Sequence, residues 1–588
     1  MSDFKTILVK DSVIGDITSD IDFAVKSGAS QATYQRFPST SSSNSAVIFN
    51  IQVPSENVVI GRDIMINTGL TFRLFIGSQT DATKQVPIGS EALAYGVTDA
   101  LHCFPFNSLL TTATAQINNT TCSVNLQDVL PSLLRLNDSR ELYRYNSTTP
   151  SLPDQAYGMY ANGVGAGNNP LASYSNASYD IDQVPRGAQP VTIAVQHFIA
   201  GVLTDADLTS TAVTDTWIVT ISTIISEPLF LSPFIFGDPE YNNQGLLGIN
   251  NMTFTLNVDG ACKRLWSSAN PWITSIQLGT LANPNGFTSA QIGVTQSPAT
   301  PTMLFKFLST QPSDLVQTKN IVPYMDFPRY LTSSANNPTI APAQTLTLTS
   351  SNLQINQIPD LFLISVRYPM SAQTSYNTDS FLTINNISVN LNNQSGLLSS
   401  ATQYDLWRMG VRNGSTQSFA EYRGQSEAII GGVATIVPTT GSLLVINPAY
   451  DLSLPDYISC GSLGNYNFQI QLNVTNQLPL TFQPEIVVIC VNSGIFTTQQ
   501  GVSAVYTGIL TKEMVLSAKS SGQASAMTSK EVSRMVGGRM LDMNAIAVGR
   551  MRGRHGMRPM GIGGHSSGGH MAGALAGASS GGRLKKMC

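Results

Sequence analysis

Residues able to do chemistry are sparse in this sequence and poorly spaced for it. Five histidines serve 588 residues. His102 and His197 fall in or beside strand-like runs, where an imidazole reads as a structural hydrogen-bonding group rather than a base. His565 and His570 stand among Gly and Ser. With Cys588 and the nearby methionines they form a soft-ligand set, but the spacing matches no zinc pattern, so no metal site is expected. Gly163-Val164-Gly165-Ala166-Gly167 has the glycines of a phosphate loop without GxGxxG spacing, and Asn168-Asn169-Pro170 follows where a helix would have to start. Asp and Glu form no paired run suited to acid–base or metal work. The expectation is a chain with no catalytic residues and no cofactor.

Three arginines read differently. Arg36, Arg186 and Arg329 each sit beside a proline near a strand boundary. One reading has the guanidinium bonding loop carbonyls of its own chain. The other has it contacting a neighbouring subunit, since a planar five-donor fork suits interfaces. A second basic set, Arg550, Arg552, Arg554, Arg558, Arg583, Lys585 and Lys586, lies in a Gly/Met-rich tail. The stretch from Arg539 to Cys588 carries a net +7, and the rest of the chain −11. Such a tail can neutralise phosphates nonspecifically, guide assembly, or only solubilise.

The elements that must position these groups are strands. Charged residues make up 12% of the chain, and Ser, Thr, Asn and Gln carry the polarity instead. This favours strands, turns and quiet packing surfaces that bury against copies of the same chain. Alternating apolar runs separated by Pro, Gly and Asn turns recur along both halves. The six cysteines lack CxxC spacing and read as reduced, mostly buried thiols of a protein assembled inside a cell. The N-terminal segment lacks signal-peptide form, and no apolar run approaches a membrane span.

One pattern occurs twice. Ile117-Asn118-Asn119, with Ser123-Val124-Asn125-Leu126 after it, matches Ile384-Asn385-Asn386 with Ser388-Val389-Asn390-Leu391. Each copy follows a strand-like run and precedes a helical one, Leu126–Leu136 and Leu397–Met409. This predicts a duplicated β-sandwich: an arm over 1–44, one sandwich over 45–236, a second over 237–517, and a tail over 518–588. The Pro/Gly cluster at Pro228–Pro239 sets the inner boundary. Residues 138–180, rich in Asn, Ser, Tyr and Gly, read as a long functional loop. The tail is too polar and glycine-rich to offset chain entropy and reads as disordered.

Landmarks in this order resemble virophage major capsid proteins. Tyr34-Gln35-Arg36-Phe37-Pro38-Ser39-Thr40-Ser41 is similar to the segment opening their first barrel. Val184-Pro185-Arg186-Gly187 is similar to their Leu/Val-Pro-Arg-Gly element, and Asn392-Asn393-Gln394-Ser395-Gly396-Leu397 to the stretch after a late second-barrel strand. The resemblance implies an all-β double jelly roll, two consecutive antiparallel sandwiches with short helices and long loops, of the virophage, polinton-like and adenovirus-related lineage. It further implies homotrimeric capsomers, an icosahedral shell around double-stranded DNA in the virion, and penton and minor capsid proteins as partners. Met535-Val536-Gly537-Gly538-Arg539 resembles the site cut by adenovirus-type maturation proteases, with cleavage after Gly538. The resemblance adds weight to the subunit-contact reading of the three arginines. The alternative is a β-rich spike or glycan-binding module using loops 138–180 and 321–340, against which the basic tail argues.

Overall fold

The computed structural model describes residues 31–76, 95, 99–137, 189–199, 202–205, 216–234, 245–262, 264–268, 273–278, 300–309, 319–378, 380–430, 433–452, 454, 460–499 and 501–508. The long loop at 138–180, Arg186, most of the N-terminal arm, and the tail with Met535, Val536, Gly537, Gly538, Arg539 and its seven basic residues lie outside them.

Period-two alternation builds the strands. Asn251–Val258 (NMTFTLNV) buries every second side chain, with Met252, Phe254, Leu256 and Val258 pointing inward. Successive side chains of a strand face opposite sides, so this half-buried pattern demands a sheet with one covered face. Besides flanking strands at Ser41–Ser42, Val58–Ile60, Thr192–Ile199, Val202–Asp205 and Ile273–Leu278, the first sandwich is built on β1 (Gln31–Pro38), β2 (Ala46–Gln52), β3 (Met65–Ile76), β4 (Leu110–Ile117), β5 (Thr120–Val124), β6 (Thr216–Pro228), β7 (Asn251–Val258) and β8 (Thr302–Ser309). They pair in the orders β1-β8-β3-β6 and β2-β7-β4-β5, all antiparallel. The later strands insert between the earlier ones, which is the double Greek key of a jelly roll.

The second sandwich repeats the scheme. Its strands are β9 (Lys319–Asp326), β10 (Arg329–Thr332), β11 (Thr345–Thr349), β12 (Leu353–Gln357), β13 (Leu361–Arg367), β14 (Thr383–Leu391), β15 (Gln394–Leu397), β16 (Leu444–Ile446), β17 (Leu463–Thr475), β18 (Glu485–Gln499) and β19 (Val502–Thr507). One sheet runs β9/β10-β18-β13-β16, with β19 also on β18. The other runs β11/β12-β17-β14-β15. In each roll a helix follows the hairpin: α1 (Leu126–Leu134) and α2 (Gln403–Arg412).

Three expectations need correction. The boundary at 236/237 falls inside the first roll, because β7 and β8 complete its two sheets; the passage between rolls lies between Ser309 and Lys319. The described part of the Pro/Gly cluster, 228–234, therefore lies within the first roll, with Leu229, Phe230, Leu231 and Phe234 in its core. In a jelly roll the last two strands return to the middle of the sheets, so a loop near the centre of a roll imitates a boundary. Residues 31–38 of the presumed arm form strand β1, paired along its length with β8. Its partner comes from far along the chain, so local sequence could not show the pairing.

The duplication is present, but its alignment shifts. Ile117 and Ile384 lie on corresponding strands, β4 and β14, at opposite ends. The true counterpart of Ile117-Asn118-Asn119 is Leu391-Asn392-Asn393, each triplet entering a two-residue hairpin loop. Asn118 and Asn392 both have φ 51°, a region that Asn tolerates better than most residues.

A continuous apolar strand marks where the rolls meet. β13 (LFLISVR) buries all seven residues. Leu361 and Leu363, with Val487, Ile489 and Val491 of β18 and Val445 of β16, join the core of the first roll. Phe362, Ile364 and Val366, with Ile486, Val488 and Cys490, join the core of the second. One sheet thus serves two cores, and the two rolls form one body.

Candidate assembly interface

The seam between the rolls is the most elaborated polar site among the described residues. Asn125 caps α1, its side chain accepting from the Asp128 N–H at 3.2 Å. This places Asp128 in the first turn, where a carboxylate is favoured by the helix dipole. Its Oδ2 lies 2.8 Å from Arg329 Nη1, and its Oδ1 2.5 Å from Arg367 Nη2. Arg367 ends β13 opposite Glu485 of β18, and its Nε donates to Glu485 Oε2 at 2.9 Å. Asp128 and Arg367 side chains are each 5% exposed. Burial disfavours the Arg367 charge, but Asp128 and Glu485 outweigh it and hold its pKa above the usual arginine value. A buried pair of this kind fixes geometry, and removing one member strands the other.

Two further contacts close the seam. At the end of α1, the Arg135 guanidinium lies 4.5 Å from the centre of the Phe381 ring, and its carbonyl accepts from Thr416 N at 3.0 Å and Thr416 Oγ1 at 2.7 Å. The β4–β5 hairpin grips β19: Ser503 N donates to Asn119 Oδ1 at 2.8 Å, Ser503 Oγ to the Ile117 carbonyl at 2.6 Å, and Thr120 Oγ1 to the Ser503 carbonyl at 2.7 Å. Cys122, on β5, is buried and its pKa is pushed up to about 12 by burial. His102 is buried as well, with Nδ1 3.4 Å from Ser108 Oγ.

Of the three arginines singled out in the sequence, Arg329 is committed to this seam within its own chain, one third exposed. Arg36 is exposed on β1, and among the described residues no hydrogen bond or ion pair occupies its guanidinium. Sequence reasoning missed Asp128, Arg367 and Glu485. The signal for Asp128 was present as Asn125-x-x-Asp128, a helix-capping spacing. Arg367 and Glu485 pair only through the sheet register, which the sequence does not display.

Unlike α1, of whose nine residues eight are buried, α2 buries only Leu406 and Gly410. Tyr404 is 49% exposed. It packs tilted against Trp407 and edgewise on Phe419, with ring centres 5.3 Å away from each. Among the described residues no helix is long and apolar enough to cross a membrane, and no group of three or more His, Cys, Asp or Glu is placed to hold a metal.

Comparisons with known proteins agree with this architecture. The family model for the first domain of the Sputnik virophage major capsid protein matches residues 2–308, and that for the major capsid protein V20 C-terminal domain matches residues 327–494. The chain is 26% identical over 517 residues to the putative capsid protein V20 of Sputnik virophage, covering 86% of this chain and 80% of that one. In fold it is similar to a chain of the Sputnik virophage structure solved by cryo-electron microscopy, with a TM-score of 0.67 at 24% identity, over 86% of this chain and 95% of that one. It is also similar to the mavirus major capsid protein, with a TM-score of 0.60 at 14% identity, over 86% and 98%. The two family models lie on either side of the observed passage between rolls, the first alone spanning more than half of the chain, and on that evidence the chain belongs to the Sputnik virophage major capsid protein family.

Proposed function

We propose that three copies of this virophage major capsid protein form a pseudo-hexagonal capsomer, and that capsomers tile an icosahedral shell around double-stranded DNA. The protein is a structural component of the virion capsid and not an enzyme. The observation that carries the proposal is the seam: two jelly rolls welded through one shared sheet give a rigid building block with two similar units per chain. Three such blocks supply six units, suited to hexagonal tiling. Penton and minor capsid proteins would occupy positions that the trimer cannot fill.

The tail reading completes the proposal. A segment of charge +7 on a body of −11 can bridge acidic surfaces or packaged DNA during assembly, an attraction that salt weakens. A maturation protease would then cut after Gly538, within Met535-Val536-Gly537-Gly538-Arg539. Sedimentation and electron microscopy of the purified full chain test the first part: trimers and closed shells or hexagonal arrays are expected, and discrete oligomers that bind glycans would favour a spike. Intact-mass measurement of particles tests the second. A mass covering residues 1–588 in infectious particles excludes the cut. Unchanged particle yield from a chain ending at Gly538 excludes an assembly role for the tail.

A further inference from the structure

Strand β18 is 15 residues long. Its first half lies in the sheet shared by the two rolls. Its second half carries β9 on one side and β19 on the other. The register fixes the two faces of this three-stranded ribbon, since directly opposed residues point the same way. Val322, Phe496 and Val505 are opposed and turn inward onto the core of the first roll. Alternation then turns the next rows outward. Ile321, Thr497 and Ala504 form one row, and Pro323, Ile495 and Tyr506 another; Val502 lies opposite Gln499 at the end.

This outer face is apolar and open at one side. Val502 is 59% exposed and Tyr506 51%, while Ile321, Pro323, Ile495 and Ala504 are half-buried. Among the described residues its one charged member is Lys319, at the corner opposite Gln499. Apolar faces of this kind mark contact sites. We propose that residues 509–516 fold back onto this face and pin the start of the basic tail there.

The sequence supplies this cover at the point where β19 ends. Gly508 follows Thr507 with φ 63°. A Cβ there would lie 2.4 Å from Gln357 Oε1 and 2.7 Å from Leu463 Cδ2. Only glycine fits that left-handed turn, and it lets the chain change direction directly after the strand. Ile509, Leu510, Met514, Val515 and Leu516 come next, five apolar residues in eight. From Ser517 to Gln523 the chain holds only Ser, Ala, Lys, Gly and Gln. The apolar run thus stops after a length that suits the face. Eight residues reach at most about 29 Å when extended, and β9 and β19, on either side of β18, lie about 10 Å apart. The tether through Gly508 keeps the run at high effective concentration over the face. Burying it then offsets the entropy of ordering it. A cut after Gly538 would leave this root on the folded body, but the anchorage itself does not depend on the cut.

The test labels Val502→Cys with a maleimide in the full chain, read by peptide mapping. The reference is Tyr450→Cys, at a position 65% exposed elsewhere in the second roll. Val502→Cys should react about tenfold more slowly than the reference. Adding Leu510→Asp and Leu516→Asp together should bring the two rates level, and so should ending the chain at Gly508. Trypsin gives a second readout without cysteines. It should spare Lys512 in the wild type while cutting at Arg539 and Arg550, and Tyr506→Asp should speed the cut after Lys512 about tenfold. Equal labelling of the two cysteines in the full chain overturns the anchorage. Protection that survives both the aspartate pair and the truncation overturns it too, and gives the cover to residues 1–30 or to a second copy. Protection lost on dilution alone gives the cover to a second copy, with the same consequence. A mass covering residues 1–588 in infectious particles removes the cut and leaves the anchorage standing.

Discussion

Asn118 and Asn392 hold the same turn in the two halves of the chain. Asn118 N donates to the Asn251 carbonyl at 3.0 Å, and its Oδ1 accepts from Asn250 N at 2.9 Å. Asn392 N donates to the Asn467 carbonyl at 2.8 Å, and its Oδ1 accepts from Asn467 N at 2.9 Å. In both rolls the loop of one hairpin is tied to the neighbouring long strand by the same two bonds. The left-handed backbone and the side-chain acceptor are both needed, which is why Asn is used at each place.

Replacing either residue by Ala should therefore cost about 1–3 kcal/mol, combining a lost acceptor with a strained φ. Gly relieves the strain and should cost less than Ala. Asn118→Ala should be the worse of the two, because the adjoining Ile117 and Asn119 also hold Ser503 of the second roll. Chemical denaturation of the four variants measures this; an Ala variant more stable than its Gly partner would contradict the backbone argument.

The Asp128 cluster predicts an unequal pair of losses. Asp128→Asn leaves the buried Arg367 with only Glu485 as counter-charge and should cost about 3–5 kcal/mol. Arg329 is one third exposed, so Arg329→Ala should cost no more than about 1 kcal/mol. Denaturant midpoints decide it. Equal losses would mean that Arg329, rather than Arg367, anchors the carboxylate.

How far the sequence could be read follows from what each signal depends on. Strands such as Asn251–Val258 announced themselves by local alternation. Leu361–Val366 and Glu485–Val491 also read as strands, but their burial on both faces comes from the packing of the two rolls. Assignment of β7 and β8 to the first roll was hidden, because strand order is set by contacts between residues far apart in sequence. Arg329, read from the sequence as a bonder of loop carbonyls or a subunit contact, pairs instead with Asp128 of its own chain. Its partner Asp128 was hidden for the same reason: the helix cap that positions it is local, but the sheet that meets it is not.

The thiols give a simple chemical check. Cys103, Cys122, Cys262 and Cys490 are buried thiols. Burial pushes Cys122 and Cys490 up to about 12, so the nucleophilic thiolate is scarce at neutral pH. The native protein should resist alkylation at these four positions at pH 8 and react fully in denaturant, as read by peptide mass mapping. Rapid native labelling of Cys122 would show that the seam between β5 and the second roll opens.

Glu227 makes stability depend on pH in a definite direction. It is the penultimate residue of β6 and lies inside the first roll, 2% exposed. Its Oε1 accepts from Phe106 N at 3.1 Å, and its Oε2 from Asn107 N at 3.1 Å and Asn107 Nδ2 at 3.0 Å. All three donors are neutral. Burial raises its pKa from 4.5 to about 7, with the three hydrogen bonds pulling the other way. The folded state therefore holds the proton more tightly than the unfolded chain. The resulting stabilisation is complete below about 4.5 and is lost as pH rises through about 7, up to about 3 kcal/mol in all. Glu227→Gln keeps a carbonyl acceptor for the Pro105–Leu109 helix and cannot ionise. Whatever its absolute stability, its melting temperature relative to wild type should rise between pH 5 and pH 8. A difference that stays flat over that range would mean that the carboxyl keeps one protonation state throughout, its three N–H donors then holding it ionised against the cost of burial.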